Sequence, residues 1–391
     1  MRRRVLVAAV SARAMAESAA NAGWEVLAVD AFGDLDLGRA AREHTATRDL
    51  GLPFSPAAAA RLARAARVSA VAYGASFENH PAAAGALARG RELLGNAPAV
   101  LARVREPERL ARALRRLGFA APAVRRAPPD EGAPLRRWLL KPRRSGGGHG
   151  IARWRPGAAV PAGWVLQEEV RGTPGAIVFA ADGRRAVALA LTRQLVGWAA
   201  VGARGFRYAG SILAAAGDPH FDGEPALFGR AVELANAVAA EFGLVGVNGI
   251  DFVAAAGEPH VVEVNPRWSA SMELAERAYG VSVFAAHVSG CRGRLPRFDL
   301  AAARRGAGAV GKAVLYARRG VTAPDTRRWL ASDAVRDVPR PGERISRGRP
   351  VCTIFAEGED GAACERALAR RAARTYAGLE RQAARGRRRS A

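Results

Sequence analysis

The first hundred residues alternate short apolar runs with alanine-rich amphipathic stretches, and no other feature of the chain restricts its fold as much. "RVLVAAV", "EVLAVD" and "AVAYGA" have the length and apolar content of buried strands, whereas "AMAESAANAG", "AAAARLARAARV" and "ALARGRELLG" look helical. Strands alternating with helices predict a parallel, doubly wound sheet. Asp30 ends the second run, where a dinucleotide-binding sheet keeps a carboxylate for a ribose. The turn after the first run is "VSARAMAE", without GxGxxG, so a nicotinamide cofactor is not expected, and Asp30 is equally well read as a loop cap.

The pattern then changes. "EPERLARALRRLG" reads as a helix stopped by Gly118 and Pro122, and residues 124–134, rich in Pro, Asp and Gly, read as a linker. Short β-rich pieces follow: "RWLLKP", "GIARW", "WVLQEEV" and two hairpins, "IVFAADGRRAVAL" closed on "DG" and "FVAAAGEPHVVEV" closed on "AGE". Between the hairpins, "LFGRAVELANAVAAEFG" has a helical apolar period ended by Gly243. The chain closes with "VGKAVLYA" to "PVCTIFAEG", then a basic helix, and a tail, "RQAARGRRRS", read as disordered. The fold class expected is α/β: a Rossmann-like parallel domain over 1–98, an α+β domain over 99–302, and a β-rich C-terminal part with the basic helix and tail over 303–391.

Bulk properties exclude several classes. No apolar run approaches the roughly 18 residues that span a bilayer. "MRRRVLVAAVSARA" imitates a signal peptide, but its apolar part is brief and runs into a helix-like segment, so a cytoplasmic enzyme is expected. Cys291, Cys352 and Cys364 have neither metal spacing nor a disulfide framework. The formal charge of +24 would suit nucleic acid, yet the arginines are scattered and no nucleic-acid module is present. A field of this sign also suits small anionic ligands.

Three groups carry chemistry. The 60 basic residues comprise 58 arginines and only two lysines, Lys141 and Lys312, so a lysine marks a place where the broad guanidinium does not serve. In "WLLKPRRSGGGHG" a strand ends at Lys141 and the loop from Ser145 through Gly146, Gly147, Gly148, His149 and Gly150 has almost no bulk, so its N–H groups can close over phosphate oxygens. A mobile linker is the alternative, and the lysine precedes the glycines, so this is not a Walker A loop. In "GIDFVAAAGEPHVVEVNPR", Asp251 and Glu263 come side by side if the hairpin pairs antiparallel, and Asn265 shares the face of Glu263. Two carboxylates and an amide oxygen suit Mg²⁺, and Arg267 suits a phosphoryl or carboxylate group. In "WVLQEEVRG", the run Gln167, Glu168, Glu169 and Val170 can read an adenine edge and ribose hydroxyls, or simply be an exposed strand end.

Taken in order, these groups resemble the ATP-grasp superfamily, in which a lysine with a glycine-rich loop, an adenine hinge and an acidic strand followed by Glu-x-Asn line one cleft. The likeness runs from about residue 99 to 290 and is most specific at "VVEVNPR" after "DF". It implies ATP and two Mg²⁺: Lys141 on the α and β phosphates, Gln167 to Val170 on adenine and ribose, Asp251, Glu263 and Asn265 on the metals, and Arg267 on the transferred phosphoryl group. Many members carry an earlier lysine near "VREPERLARAL"; here Arg103, Arg105 or Arg109 stands in, or nothing does. The resemblance further implies a carboxylate-amine ligase working through an acyl phosphate, with small-molecule acid and amine substrates and often a homodimer. Arg204, Arg207, Ser269, Ser271 and Glu273 are the substrate-reading candidates, with His149 near the γ phosphate. An ATP-grasp kinase, a biotin-independent carboxylase and a non-catalytic nucleotide-binding scaffold stay open. Biotin carboxylase is similar at Glu-x-Asn-x-Arg, but "WSASMELAE" lacks its further glutamine and glutamate pattern, and Lys312 in "VGKAVLYA" reads as a surface or structural lysine. Residues 11–34 and 338–358 are similar to ATP-grasp proteins of bacteria that oxidise one-carbon compounds with tetrahydromethanopterin, which implies a role in tetrahydromethanopterin or methanofuran-type cofactor synthesis.

Overall fold

The structure is a computed structural model that describes residues 3–129, 137–221 and 223–389, with 382–389 described by backbone alone. β1 (Arg4–Ala8), β2 (Glu25–Asp30), β3 (Glu43–Ala46), β4 (Ala70–Tyr73) and β5 (Glu92–Leu94) form a parallel sheet in the order β3-β2-β1-β4-β5, flanked by helices such as Arg13–Asn21 and Pro56–Leu62. Ser55 starts the latter by accepting the Ala58 N–H at 3.1 Å, with Pro56 preset in the first turn. The expected doubly wound sheet is therefore present. β3 escaped the sequence because three of its four residues are exposed, leaving no apolar run. "ALARGRELLG" is not one helix: the helix ends at Ala88 and β5 begins at Glu92. Asp30 is a loop cap, accepting the N–H groups of Phe32 and Gly33 at 3.2 and 2.9 Å.

Four short strands, β6 (Val124–Arg125), β7 (Trp138–Pro142), β8 (Ala152–Arg153) and β9 (Trp164–Glu168), form an antiparallel sheet in the order β6-β9-β7-β8. The start of the expected linker is thus a paired strand, and its residues 130–134 lie outside those described. Next come β10 (Thr173–Asp182), β11 (Ala186–Val196), β12 (Tyr208–Leu213), β13 (Val245–Ala255), β14 (Glu258–Asn265) and β15 (Ala309–Tyr316). β16 (Val321–Thr322), β17 (Val335–Arg336), β18 (Arg344–Ile345) and β19 (Pro350–Gly358) complete the chain. β16 pairs with β18, and the other eight make one antiparallel sheet, β14-β13-β10-β11-β12-β15-β19-β17. The boundary expected at 302/303 therefore falls between strands of a single sheet, with Ser211 of β12 opposite Lys312 of β15.

Three helices tie the layers together. Glu224–Phe242 buries Leu227, Leu234 and Val238 against one face of the large sheet, and stops at Gly243, which takes φ +67°. Val283–Cys291 sits in the core shared by Val5 and Val7 of the parallel sheet and Val178 and Val247 of the antiparallel one. Gly361–Arg389 packs Leu368, Ala372 and Tyr376 onto Leu315 and Ile354. The segment "RQAARGRRRS" does not begin a disordered tail, because this helix continues to Arg389. Among the described residues, no helix is long and apolar enough to cross a membrane.

Candidate nucleotide and metal site

The site is built on the β13–β14 hairpin. Ala256 and Gly257 take φ +49° and +75°, the pair of left-handed residues a two-residue type I′ turn needs. The turn pairs Ala255 with Glu258 and Phe252 with Val261, and a β-bulge at Val262 then shifts the register by one residue, which brings Asp251 opposite Glu263 and Gly249 opposite Asn265. The Asp251 carboxylate accepts from Gln194 Nε2 on β11 and from Asn265 Nδ2, each at 2.9 Å. Burial, and then the charge of Glu263, pushes the Asp251 carboxyl up to about 7. Burial would raise Glu263 as well, but Lys141, Arg105 and Arg267 outweigh it and hold that carboxyl low.

Lys141, at the end of β7, places Nζ 3.3 Å from Glu263 Oε2 and 3.4 Å from the Val262 carbonyl. Gln167, one strand over on β9, donates to the same carbonyl at 3.1 Å, so the two central strands of the four-stranded sheet turn one face toward β14. Arg267 is half-buried: two of its nitrogens donate to Glu78 of the parallel-sheet region at 2.8 and 3.0 Å, and Nη2 also reaches Asn265 Oδ1 at 2.9 Å. Of the three arginines that might replace the earlier lysine, Arg105 alone faces this wall, 3.6 Å from Glu263 Oε2 and donating to the Ser145 carbonyl at 3.3 Å. Arg103 bonds the Phe242 carbonyl, and Arg109 is exposed on its helix.

The glycine loop closes the opposite side. Tyr208 N donates to the Gly147 carbonyl at 3.0 Å, and Gly148 takes φ +74° where an added Cβ would lie 1.8 Å from the Phe206 carbonyl oxygen. Only glycine allows that approach. His149 lies beside Arg207, at 3.4 Å, with its ring partly shielded at the cavity mouth, and that partial desolvation together with Arg207 and Arg349 keeps its imidazole below the usual range. In the hinge, the N–H groups of Glu168 and Glu169 donate to Ala123 and Arg137, and Glu169 pairs with Arg153 at 2.9 Å.

One cavity of about 720 Å³ runs between these walls. It is lined by Lys141, Ser145 to His149, Gln167 to Val170, Asp251, Glu263, Asn265 and Arg267, and by Arg207, Ser269 and Ser271. Three candidates stand elsewhere. Gly150 lies outside the lining, packed near Pro142. Arg204 is exposed and outside it. Glu273 is 6 % exposed behind the wall, ion-paired to Arg13 and, at 2.6 Å, to Lys312. Lys312 is no surface lysine: it is 4 % exposed and reaches the cavity from β15. The sequence reading missed Gln194, Glu78, Arg13, Asp34 and Asp337. Only Gln194 carried a usable signal, as part of the polar triplet Thr192, Arg193 and Gln194 in an otherwise apolar strand.

With this geometry in hand, the relatives can be placed. Residues 108–271 match the model of the ATP-grasp domain. The matched segment runs from the helix before β6 to the serines after Arg267, and it contains the whole β13–β14 hairpin with Lys141 and Arg267. A comparison with curated proteins found no match. Among solved structures, N5-carboxyaminoimidazole ribonucleotide synthetase from Thermus thermophilus is 20% identical, with 94% of this chain and 97% of that one covered at a TM-score of 0.66. The biotin carboxylase domain dimer of Hydrogenobacter thermophilus 2-oxoglutarate carboxylase, solved with MgADP, ADP and bicarbonate, is 15% identical, with 92% and 87% covered and a TM-score of 0.68. Rhizobium etli pyruvate carboxylase is 16% identical at a TM-score of 0.71; the alignment covers 94% of this chain, which spans only 37% of that protein. At these identities the likeness establishes the fold.

The donors of the hairpin wall fit a magnesium nucleotide. Among the described residues, no three His, Cys, Asp or Glu side chains gather to hold a metal by themselves. Asp251 and Glu263 supply hard oxygens from adjacent strands, which suits an ion whose remaining ligands are phosphates and water. As placed, the Asn265 amide oxygen accepts from Arg267 and its nitrogen donates to Asp251, so the amide must turn to offer its oxygen to a metal.

Proposed function

We propose that the chain is an ATP-dependent carboxylate-amine ligase. One observation carries the reading: Asp251 and Glu263 paired in register, with Lys141 3.3 Å from Glu263, on the wall of a cavity roofed by the glycine loop. A substrate carboxylate oxygen attacks the γ phosphorus, the bond to the bridging oxygen breaks, and ADP leaves. An amine nitrogen then attacks the acyl carbon, the bond to the phosphate oxygen breaks with its electron pair, and the surplus proton passes to phosphate or water. Lys141 orients the α and β phosphates, Arg267 neutralises the transferred group, and the loop from Ser145 to Gly150 excludes water. Two Mg²⁺ held by Asp251, Glu263 and Asn265 would supply charge neutralisation at the phosphates. Gln167 to Val170 take the base and ribose, and Arg105 braces Glu263 where other members use a lysine.

Arg207, Ser269 and Ser271 are the substrate-reading residues of this proposal, and Glu273 acts only through Arg13 and Lys312. A role in tetrahydromethanopterin or methanofuran-type cofactor synthesis is supported by the sequence likeness of residues 11–34 and 338–358, and a homodimer by the dimeric relative. The test is ATP turnover with Mg²⁺ and hydroxylamine in fractionated metabolites, with mass spectrometry for hydroxamates. A hydroxamate that disappears in Lys141→Ala and Glu263→Ala is expected. ADP without hydroxamate would replace the ligase by a kinase or carboxylase, and nucleotide binding without ADP would make the chain a scaffold.

A further inference from the structure

The cavity has two electrical ends. Lys141 and Arg267 line it beside the Asp251–Glu263 wall, whereas Asp34, Asp337 and Glu343 line it where the cations Arg13 and Lys312 also enter, and those two are taken up by Asp337 and Glu273. Asp337 and Glu343 are already answered: Asp337 accepts from Arg13 at 3.0 Å and from Thr353, and Glu343 pairs with Arg48 and accepts the Arg340 N–H at 3.1 Å. Asp34 is not. It sits in the loop after β2, is 7 % exposed and lines the cavity, and among the described residues no donor or cation reaches its carboxylate. Burial pushes it well above its ordinary range, and the carboxylates of Asp337, Asp30, Asp36 and Glu343 push in the same direction.

A buried carboxylate without a partner is costly, and in a chain of net charge +24 there is no shortage of arginine to supply one. Its open side faces the cavity, so the missing partner is a ligand. A metal does not fit, since among the described residues no three acidic or imidazole groups converge on a point. An organic cation does, because a largely buried carboxylate that faces a cavity recognises an ammonium or guanidinium by a charge-assisted hydrogen bond.

We infer that the amine substrate is a dication, a diamine or amino-guanidine, whose non-reacting cationic group seats on Asp34 while its other nitrogen points toward the nucleotide end. This deepens the ligase reading and rests on it. It also gives the acidic end of the cavity an occupant.

The test is binding of defined probes to the full chain with Mg²⁺ and ADP present, followed by calorimetry. 1,4-Diaminobutane and agmatine are expected to bind at least tenfold more tightly than 1-aminobutane, and glutarate is expected not to compete with them. Asp34→Asn should abolish the difference between diamine and monoamine while leaving Mg²⁺-ADP affinity as it was. The wild-type comparison needs no variant, so it stands if Asp34→Asn fails to fold. Equal binding of mono- and diamine, no binding of either dication at millimolar concentration, or an unchanged preference in a folded Asp34→Asn protein would each overturn the inference. Because no turnover is read, a failed hydroxamate assay would leave this result independent of the ligase reading.

Discussion

Metal loading should expel the proton that the hairpin wall stores. In the free protein the Asp251 carboxyl is raised to about 7 by burial and by Glu263, its partner across the hairpin. A divalent ion needs both carboxylates ionised, so binding must expel that proton. At pH 6 a group of this kind is about one-tenth deprotonated and at pH 8 about nine-tenths, so the apparent affinity for Mg²⁺-nucleotide should rise about tenfold across that interval, about 1.4 kcal/mol. The sign follows from the raised value. Protonation at Asp251 favours the free folded state as pH falls and competes with metal, whereas Glu263 stays ionised throughout because Lys141, Arg105 and Arg267 overcome its burial.

Calorimetry of Mg²⁺-ADP binding at pH 6, in buffers of different ionisation enthalpy, would count the released protons directly. Asp251→Asn should bind more weakly and release about one proton fewer; the nucleotide's own titration is common to both proteins and cancels in the difference. A wild-type response that is flat from pH 6 to 8, with proton release equal to that of the variant, would refute the stored proton and with it the assignment of Asp251 as a ligand.

The remaining expectations concern the two lysines and the acidic end. Lys141→Ala should lower kcat/KM for ATP by about a hundredfold or more, the scale of one preorganised charge, and Lys141→Arg should recover little of it, because a planar fork does not fit where Nζ lies 3.3 Å from Glu263. Lys312→Met should cost about 3 kcal/mol in urea unfolding, the low end for breaking a buried pair, since Arg13 still answers Glu273. Glu273 is held below its ordinary range, against its burial, by Arg13 and Lys312, so this contribution is present above its unfolded value and should be lost only at strongly acidic pH. Asp34→Asn should raise Tm, more at pH 7.5 than at pH 4. The raised carboxyl is already protonated in acid, and the stability that protonation contributes is lost as pH climbs through its folded value.

What the sequence made legible was periodic or local. The parallel sheet, both hairpins and the stop at Gly243 follow from apolar period and turn residues within single segments. Asp251 facing Glu263 is expected from a hairpin closed on "AGE"; the structure reaches the same pairing by a two-residue turn and a bulge at Val262, which no local sequence signal announces. Lys141 stood out because the chain has almost no other lysine. Asp34, Arg13 and Asp337 gave no such signal. They come from a loop, a helix start and the segment after β17, up to 324 positions apart, and meet only because β15, β17 and β19 extend the central sheet under the parallel one. Glu273 was misjudged for a related reason: helical placement put it near the serines, but Lys312 from β15 turned it into a buried counterion.

That ion chain bears on how the two ends of the cavity work together. Arg13 from the parallel-sheet region, Glu273 from the helix after the hairpin, Lys312 from β15 and Asp337 beyond β17 form one buried network. Desolvation makes such networks poor sources of net stability, so its use is better sought in geometry. Each member belongs to a different segment and each charge is satisfied only when all are in register, so displacement of any segment leaves a buried ion unpaired. The network therefore holds the acidic part of the cavity at a set distance from the Asp251–Glu263 wall. A substrate with charges at both ends would be measured against that spacing. Diamines shorter or longer than the best binder should lose affinity on both sides of an optimum, whereas a flexible acidic surface would show a steady rise with chain length.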